Sequence, residues 1–310
     1  MPPIVMAGAA EGRPSTSFQR IPGEAVDGRA WPAKPGHDGS WAGIELNRPR
    51  VMGVLNVTPD SFSDGGAHFD PERAIAAGLA MAEAGADIID VGGESTRPFS
   101  SPTDPAEERA RVIPVIAALA GAGLAVSVDT RNAATMAAAL DAGARIINDV
   151  SALTHDPAAA PLVAARCCPV VLMHMRGVPA TMMKFASYTD VATEVAAELA
   201  ERIKAASQVG IRREQIAIDP GIGFAKHPTH SVEILRRLPE LASLGFPILV
   251  GVSRKGFIGR LTGVHQPRDR LAGSLAAGLF AVARGASMLR VHDVSETVRA
   301  LHVWDALAVD

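Results

Sequence analysis

Polar side chains suited to recognising a ligand follow each of eight short apolar runs in this 310-residue sequence. Three of these runs end at a carboxylate or a carboxamide, namely Asp129, Asn148 and Asp219. A carboxylate accepts two parallel hydrogen bonds from an amino-pyrimidinone edge, and a carboxamide offers one donor and one acceptor. With Lys255 as a donor to a ring carbonyl, these residue types predict a site for a flat heterocycle.

Cationic residues follow the last apolar run. Arg290 and His292 stand there, where barrel-shaped α/β proteins often hold a phosphate, and phosphate needs cationic donors. The expected ligand is therefore a planar, guanine-like ring that carries a phosphate or a diphosphate. A metal site made wholly of protein ligands is not expected, because the oxygen ligands are assigned to the ring. Mg²⁺ shared between a diphosphate and Asn56 is reasonable.

The elements that must position these side chains alternate regularly from about residue 44 onward. Alanine-rich segments with helical periodicity separate the apolar runs, and near-continuous apolar strands between helices indicate a parallel sheet covered by helices. Eight such units in about 260 residues match an α/β fold of the (β/α)8 TIM barrel type, whose usual size is ~250 residues. A doubly wound open sheet is the competitor, but the first loop lacks its glycine-rich phosphate turn. The runs are residues 51–55, 87–91, 124–128, 145–147, 169–173, 215–218, 247–252 and 287–291.

Helix boundaries are marked in the sequence. Three Asp-Pro pairs, at residues 70–71, 104–105 and 156–157, place a capping carboxylate before a proline suited to the first helical position. Glycines stand just before six of the apolar runs, where a left-handed residue can end a helix. They are Gly85, Gly123, Gly143, Gly210, Gly245 and Gly285.

Composition excludes several classes of function. A formal net charge of −3 without a long basic run argues against a nucleic-acid partner. No apolar stretch reaches the ~18 residues of a membrane span. Cys167 and Cys168 are adjacent, unlike a disulfide framework or a metal-binding pair, so we expect reduced, structural thiols. No secretory signal is visible, which predicts a cytoplasmic protein.

Residues 1–43 differ from the rest of the chain. They are rich in Gly and Pro and lack sustained periodicity, so they bury little apolar surface against their ordering entropy. We expect an irregular N-terminal extension, with Trp31 and Trp41 as possible anchors, followed by a barrel over residues 44–310.

Seven motifs together resemble the dihydropteroate synthase family. They occur in the order NVTPDSFSDGG (56–66), DVGGESTRP (90–98), SVDTR (127–131), IINDVSA (146–152), DPGIGFAK (219–226), GVSRKGFIG (251–259) and LRVHDV (289–294). The resemblance runs from about residue 50 to 307. It implies a TIM barrel that joins p-aminobenzoate to 6-hydroxymethyl-7,8-dihydropterin diphosphate, releasing diphosphate and forming dihydropteroate. It also implies a target of sulfonamides and a homodimer.

The resemblance assigns a role to each motif residue. The pterin ring would be bound by Asp129, Asn148, Asp219 and Lys255. The diphosphate, with Mg²⁺ held by Asn56, would be bound by Asn56, Thr96, Arg290 and His292. The p-aminobenzoate ring and carboxylate would be framed by Phe62, Arg97, Pro98, Phe224, Arg254 and Gly256. The catalytic residues would be Asp64, Lys255, Arg290 and His292, with the loops 57–66 and 93–103 closing over the site.

Ala225 and Gly256 depart from common family forms, which have a glycine and in some members a serine there. The Ala225 methyl group is expected to be tolerated, and p-aminobenzoate's carboxylate would then bind the backbone N–H and helix N-terminus at Gly256. His174 is expected to pack, or to support residues that contact the ligand, rather than to catalyse.

Two alternatives from other classes remain open at this point. A pterin-binding methyltransferase domain would explain Asp129, Asn148 and Asp219, but not the complete TPDSFSDGG and STRP loops. An inactive pterin-binding paralogue would be expected to lose residues of the loops or of the diphosphate site, and none is missing.

Overall fold

The computed structural model describes residues 39–58, 70–94 and 103–308. Eight parallel strands form its centre, and their hydrogen-bonded order is β6-β5-β4-β3-β2-β1-β8-β7. A further parallel bridge between Ile218 and Ile248 joins the two outer strands of this order, so the sheet closes into the predicted barrel. The strands are β1 Arg50–Asn56, β2 Ile88–Gly92, β3 Val126–Asp129, β4 Ile146–Asp149, β5 Val170–Met173, β6 Ile216–Asp219, β7 Leu249–Val250 and β8 Met288–Val291.

Helices connect successive strands and cover the outside of the barrel. No helix in the described ranges is long and apolar enough to cross a membrane. The helices are α1 Pro71–Glu83, α2 Pro105–Gly121, α3 Ala133–Asp141, α4 Ala159–Arg166, α5 Val191–Gln208, α6 Pro228–Arg236, α7 Leu238–Ala242, α8 Gly256–Thr262, α9 Leu271–Ala283 and α10 Val294–Ala308. Short 3₁₀ turns occupy Met182–Phe185, Arg213–Gln215 and Pro267–Asp269.

Two of the three predicted capping aspartates act as expected, and the third differs. Asp70 and Asp104 each accept hydrogen bonds from backbone N–H groups in the first turn of α1 and α2. Asp156 precedes α4 by three residues, so it does not occupy the capping position of α4. Its carboxylate instead accepts from the N–H of Ala158 and from the N–H of Ala133 at the start of α3, each at 2.9 Å. The predicted glycine stops are confirmed, because all six have positive φ.

Strand pleating divides the core into two parts. Alternate strand residues point outward and pack against the helices, and the residues between them point into the barrel. At the end of the barrel where the strands begin, the inward side chains are apolar. At the opposite end they become polar, which concentrates charged groups where the strands finish. The apolar inward layer consists of Met52, Ile88, Ile146, Val171, Ala217, Leu249 and Met288.

A short hairpin covers the apolar end of the barrel. Its strands are Ser40–Trp41 and Ile44–Glu45. Trp41 is 1% exposed, joins the apolar inward layer and donates from Nε1 to the carbonyl oxygen of Gln215 at 3.1 Å. The hairpin crosses the predicted boundary between residues 43 and 44. Trp41 is thus an anchor, while Trp31 lies outside the described residues.

Candidate active site

A polar cavity opens where the barrel strands end. It is open to solvent on one side. Side chains from β3, β4, β6 and β8 and from the loops after β6 and β7 line it, so residues distant in the chain meet at one rim. The predicted site residues that the structure brings together here are Asp129, Asn148, Asp219, Phe224, Lys255, Arg290 and His292.

Ion pairs organise the wall that β2, β3 and β8 form. Arg290 donates from Nε to Asp90 Oδ2 at 2.6 Å and from Nη2 to Asp129 Oδ2 at 2.7 Å. Asn148 donates from Nδ2 to the same oxygen of Asp90 at 3.0 Å. These bonds fix the orientation of the Arg290 guanidinium. They also leave the side-chain oxygen of Asn148 free to accept a hydrogen bond from a ligand.

Asp90 was not among the predicted site residues. It is fully buried, and its Oδ1 has no hydrogen-bond partner among the described residues. The sequence held a signal for it, since an aspartate at an inward position of an otherwise apolar strand is costly unless it is paired.

Asp219 presents one carboxylate oxygen to the cavity. Its Oδ1 accepts from the backbone N–H of Gly221 at 2.7 Å, which leaves Oδ2 for a ligand. Burial raises the pKa of Asp219, opposed by the Gly221 hydrogen bond and by Lys255 and Arg290. Burial also raises the pKa of Asp129 to about 7, although the Arg290 guanidinium opposes that change. Burial thus favours the neutral form of both groups, and the neighbouring cations favour the carboxylate form that accepts hydrogen bonds from a ring.

Lys255 and Phe224 form the opposite wall. The Lys255 ammonium lies 4.3 Å from the centre of the Phe224 ring, within the range of a cation–π contact. Burial, with a smaller contribution from Arg290 and with Asp219 acting against both, lowers the pKa of Lys255 to about 8. The contact places an aromatic face and an ammonium donor side by side.

His292 is held by Ser253. The Ser253 hydroxyl oxygen accepts from the backbone N–H of His292 at 3.2 Å and lies 3.1 Å from its Nδ1. If the hydroxyl hydrogen bonds Nδ1, the ring carries its hydrogen on Nε2, which can then donate to a ligand. Burial lowers the pKa of His292 to about 4, with Arg254 and Arg290 adding to the effect. In the ligand-free site the ring is neutral at pH 7, so it offers a hydrogen bond rather than the positive charge expected from the sequence.

Three predicted residues lie apart from this cavity. Asn56 ends β1 opposite Gly92 and is not in the cavity lining. Arg254 turns away to Asp293, with Nε 3.1 Å from Oδ2. Gly256 begins α8 and is exposed, and a Cβ built there would meet nothing within 4 Å.

The remaining predicted residues cannot be placed. Phe62, Asp64, Thr96, Arg97 and Pro98 lie outside the described residues. Their assigned roles stay predictions.

A metal ion would find few protein ligands here. No group of three or more His, Cys, Asp or Glu residues that could hold a metal occurs in residues 39–58, 70–94 and 103–308. Mg²⁺ commonly keeps several waters and binds through one or two protein oxygens plus substrate phosphates. A Mg²⁺ ion bound in this cavity would therefore take most of its ligands from substrate phosphates and water.

Comparison with known proteins agrees with this geometry. The model of the family described as pterin binding enzyme matches residues 52–292. The dihydropteroate synthase of Neisseria meningitidis serogroup B is 46% identical over 272 residues, which cover 86% of this chain and 95% of that protein. Xanthomonas albilineans dihydropteroate synthase with 4-aminobenzoic acid is 52% identical with a TM-score of 0.82, covering 87% and 97% of the two chains. The structure of the same synthase in complex with 7,8-dihydropteroate is 50% identical with a TM-score of 0.79, covering 86% of this chain and 97% of that chain.

The fold and the cavity thus define a pterin-binding barrel. Within that class the chain belongs to the dihydropteroate synthase family and is a transferase. The resemblance found in the seven motifs is confirmed.

Proposed function

We propose that this enzyme condenses 6-hydroxymethyl-7,8-dihydropterin diphosphate with p-aminobenzoate, giving 7,8-dihydropteroate and diphosphate. The observation that carries the proposal is the convergence of Asp129, Asn148, Asp219 and Lys255 on one cavity at the carboxyl ends of the strands. A related synthase has been solved with 7,8-dihydropteroate.

Recognition of the pterin ring would use both walls of the cavity. Asp219 Oδ2 accepts from the amino-pyrimidinone edge, while Lys255 donates to the ring carbonyl. Asn148 is oriented by its bond to Asp90 at 3.0 Å, so its carbonyl oxygen is preset as an acceptor. Preset polar groups bind with little reorganisation, which favours this flat ring over others of similar size.

The diphosphate would leave beside Arg290 and His292. The two ion pairs of Arg290 use Nε and Nη2, which leaves the hydrogens of Nη1 to donate to an anion. His292 would donate from Nε2. Mg²⁺ on the diphosphate, held by Asn56, would supply further neutralisation of the leaving group when bound. Fixed donors at the place where negative charge develops lower the barrier without reorganising during the reaction.

The displacement would be dissociative. The C–O bond to diphosphate breaks first, its electron pair goes to the leaving oxygen, and positive charge spreads from the methylene carbon into the pterin. The buried carboxylates of Asp90, Asp129 and Asp219 favour that cation, and Asp64 is predicted to add a fourth. The aniline nitrogen of p-aminobenzoate then attacks the methylene carbon and loses a proton, which completes the new C–N bond.

The second substrate would bind between the pterin and the loops of the rim. Phe224 and Lys255 offer one face to its ring. The other contacts are predicted from the sequence for Phe62, Arg97, Pro98, Arg254 and Gly256. Loop closure would position the amine and keep water from the cation.

The two other candidate functions have less support. The relatives described above are synthases, which favours a synthase over a methyltransferase domain. An inactive paralogue would bind the pterin without turnover. A coupled assay of diphosphate release that requires both substrates separates these cases.

Binding order gives a sharper experiment. Labelled p-aminobenzoate is titrated into the enzyme alone, and then in the presence of a pterin, diphosphate and Mg²⁺. We expect weak binding in the first case and a competent site, for which a sulfonamide competes, in the second. Equal and tight binding in both conditions would contradict a second site made by loop closure.

Two further predictions belong to this proposal: a homodimer and a cytoplasmic location. The dimer has support from large exposed apolar side chains on the neighbouring helices α8, α9 and α10. They are Leu261, Phe280, Val303 and Leu307. Sedimentation of the enzyme at micromolar concentration measures its oligomeric state.

A further inference from the structure

A buried lysine lies directly behind the loop that carries Phe224. Lys226 is 3% exposed, and its ammonium contacts three acceptors. They are His174 Nδ1 at 2.8 Å, the His174 carbonyl oxygen at 3.4 Å and the Phe224 carbonyl oxygen at 3.0 Å. An ammonium has three hydrogens, so all three acceptors can be satisfied at once.

The hydrogen-bonded chain continues through His174 to helix α5. Because Nδ1 accepts from Lys226, the ring hydrogen is on Nε2, which donates to Glu198 Oε2 at 3.0 Å. Burial lowers the pKa of His174 to about 4, so the ring is neutral. Glu198 and Glu194 also pair with Arg176. His174 therefore packs within a polar network, as the sequence predicted.

The loop itself has an unusual backbone. Gly221, Gly223 and Ala225 all have positive φ, at 66°, 81° and 47°. Ala225 is fully buried and carries a Cβ, which makes a left-handed conformation cost about 1–2 kcal/mol. Such a conformation persists only where the surrounding structure holds it.

Tyr188 supplies that hold from the other side. Its hydroxyl donates to the Ala225 carbonyl oxygen at 3.0 Å, and the Arg176 guanidinium stacks 4.0 Å from the centre of its ring. Two consecutive carbonyls of the strained loop are thus held by hydrogen bonds. Lys226 donates to the Phe224 carbonyl oxygen, and Tyr188 donates to the Ala225 carbonyl oxygen. Both ties originate in residues that contact no ligand in the proposed reaction.

We propose that Tyr188 and Lys226 are positioning residues that fix the Phe224 ring against Lys255 and so build the face on which the aromatic amine packs. This inference rests on the proposed function. Tyr188 contacts only the far end of the loop, whereas Asp219 and Gly221 at its start serve the pterin. Loss of the Tyr188 hydroxyl therefore acts on the second substrate and spares the first.

The test uses Tyr188→Phe, which removes one hydroxyl and keeps the ring. A hydrogen bond of this kind is worth about 1 kcal/mol, or roughly fivefold. We expect KM for p-aminobenzoate to rise about fivefold, with KM for the pterin diphosphate and the affinity for a pterin analogue unchanged within twofold. Thr189→Val, which removes the adjacent exposed hydroxyl, is the matched control and should change neither constant. Lys226→Met should raise KM for p-aminobenzoate more strongly and, because Lys226 also lies beside Gly221, should raise KM for the pterin diphosphate as well.

Hydrogen exchange provides a readout that needs no turnover. The Phe224 N–H donates to the Gly221 carbonyl within the loop at 3.0 Å. Its exchange should accelerate about fivefold in Tyr188→Phe and remain unchanged in Thr189→Val. Unchanged exchange, or equal rises in both KM values, would overturn the inference. If the unaltered enzyme forms no dihydropteroate, the proposed function fails, and the exchange rates still decide whether Tyr188 holds the loop.

Discussion

Replacing Asp219 by Asn tests the centre of the site with the smallest change of shape. The side chain keeps its size, and the amide oxygen can still accept from the Gly221 N–H that Asp219 Oδ1 now binds at 2.7 Å. What changes is the other position, where an acceptor oxygen becomes an NH₂ donor. That donor would face the donors of an amino-pyrimidinone edge.

The loss of affinity can be worked from the hydrogen bonds involved. A hydrogen bond to a charged group is worth about 1.5–3 kcal/mol, and the carboxylate is expected to receive two from the ring. Asp219 is only 6% exposed, so water poorly replaces the hydrogen bonds that the ring would lose. A total of about 3 kcal/mol or more corresponds to at least a 100-fold weaker Kd.

Calorimetry with a pterin analogue measures this change, and thermal unfolding checks that the fold is kept. Asp149→Asn is the matched control. Asp149 is equally buried at the end of β4, but it bonds Ser151 and the backbone of Leu153 rather than the cavity. Asp149→Asn should lower the free energy of unfolding, because its NH₂ would face the backbone N–H of Ser151 or Leu153, but it should keep pterin affinity, because Asp149 does not line the cavity. Unchanged affinity in Asp219→Asn would refute the assignment of Asp219 to the ring.

Three other outcomes are expected. Affinity for the pterin analogue should fall as pH rises through about 8, because the Lys255 ammonium that donates to the ring loses its proton there. Calorimetry should show no such fall in Lys255→Met. Gly221→Ala should abolish analogue binding, since Gly221 has a φ of +66° and a Cβ there would lie 2.0 Å from the His174 carbonyl oxygen. Gly121→Ala should bind the analogue normally, because a Cβ there would meet nothing within 4 Å. Trp41→Ala should lower the free energy of unfolding by about 3 kcal/mol in denaturant titrations. A normal Kd for the analogue would show that the cavity, at the opposite end of the barrel, is unaffected.

The architecture was readable from the sequence because it depends on local rules. Apolar runs separated by amphipathic segments, with glycines before the runs, predicted the strands and helix ends that the structure contains. Polar residues at the strand ends predicted the cavity, since parallel strands deliver their carboxyl ends to one rim. Asp156 shows the limit of local rules, because the Asp-Pro pair predicted to cap α4 does not occupy that position, and its carboxylate accepts from the N–H of Ala133 at the start of α3.

The partners of the site residues were decided by tertiary structure. Arg290 and Asp90 are separated by 200 residues, and Trp41 and the Gln215 carbonyl by 174. Nothing in the spacing of Lys226 indicates that it meets His174, or that Tyr188 ties down Ala225. The sequence by itself determined which residue types stand at the rim and which family they belong to. Closure of the barrel alone decided which charges face each other, because the pKa and orientation of a buried group depend on neighbours brought together from distant parts of the chain.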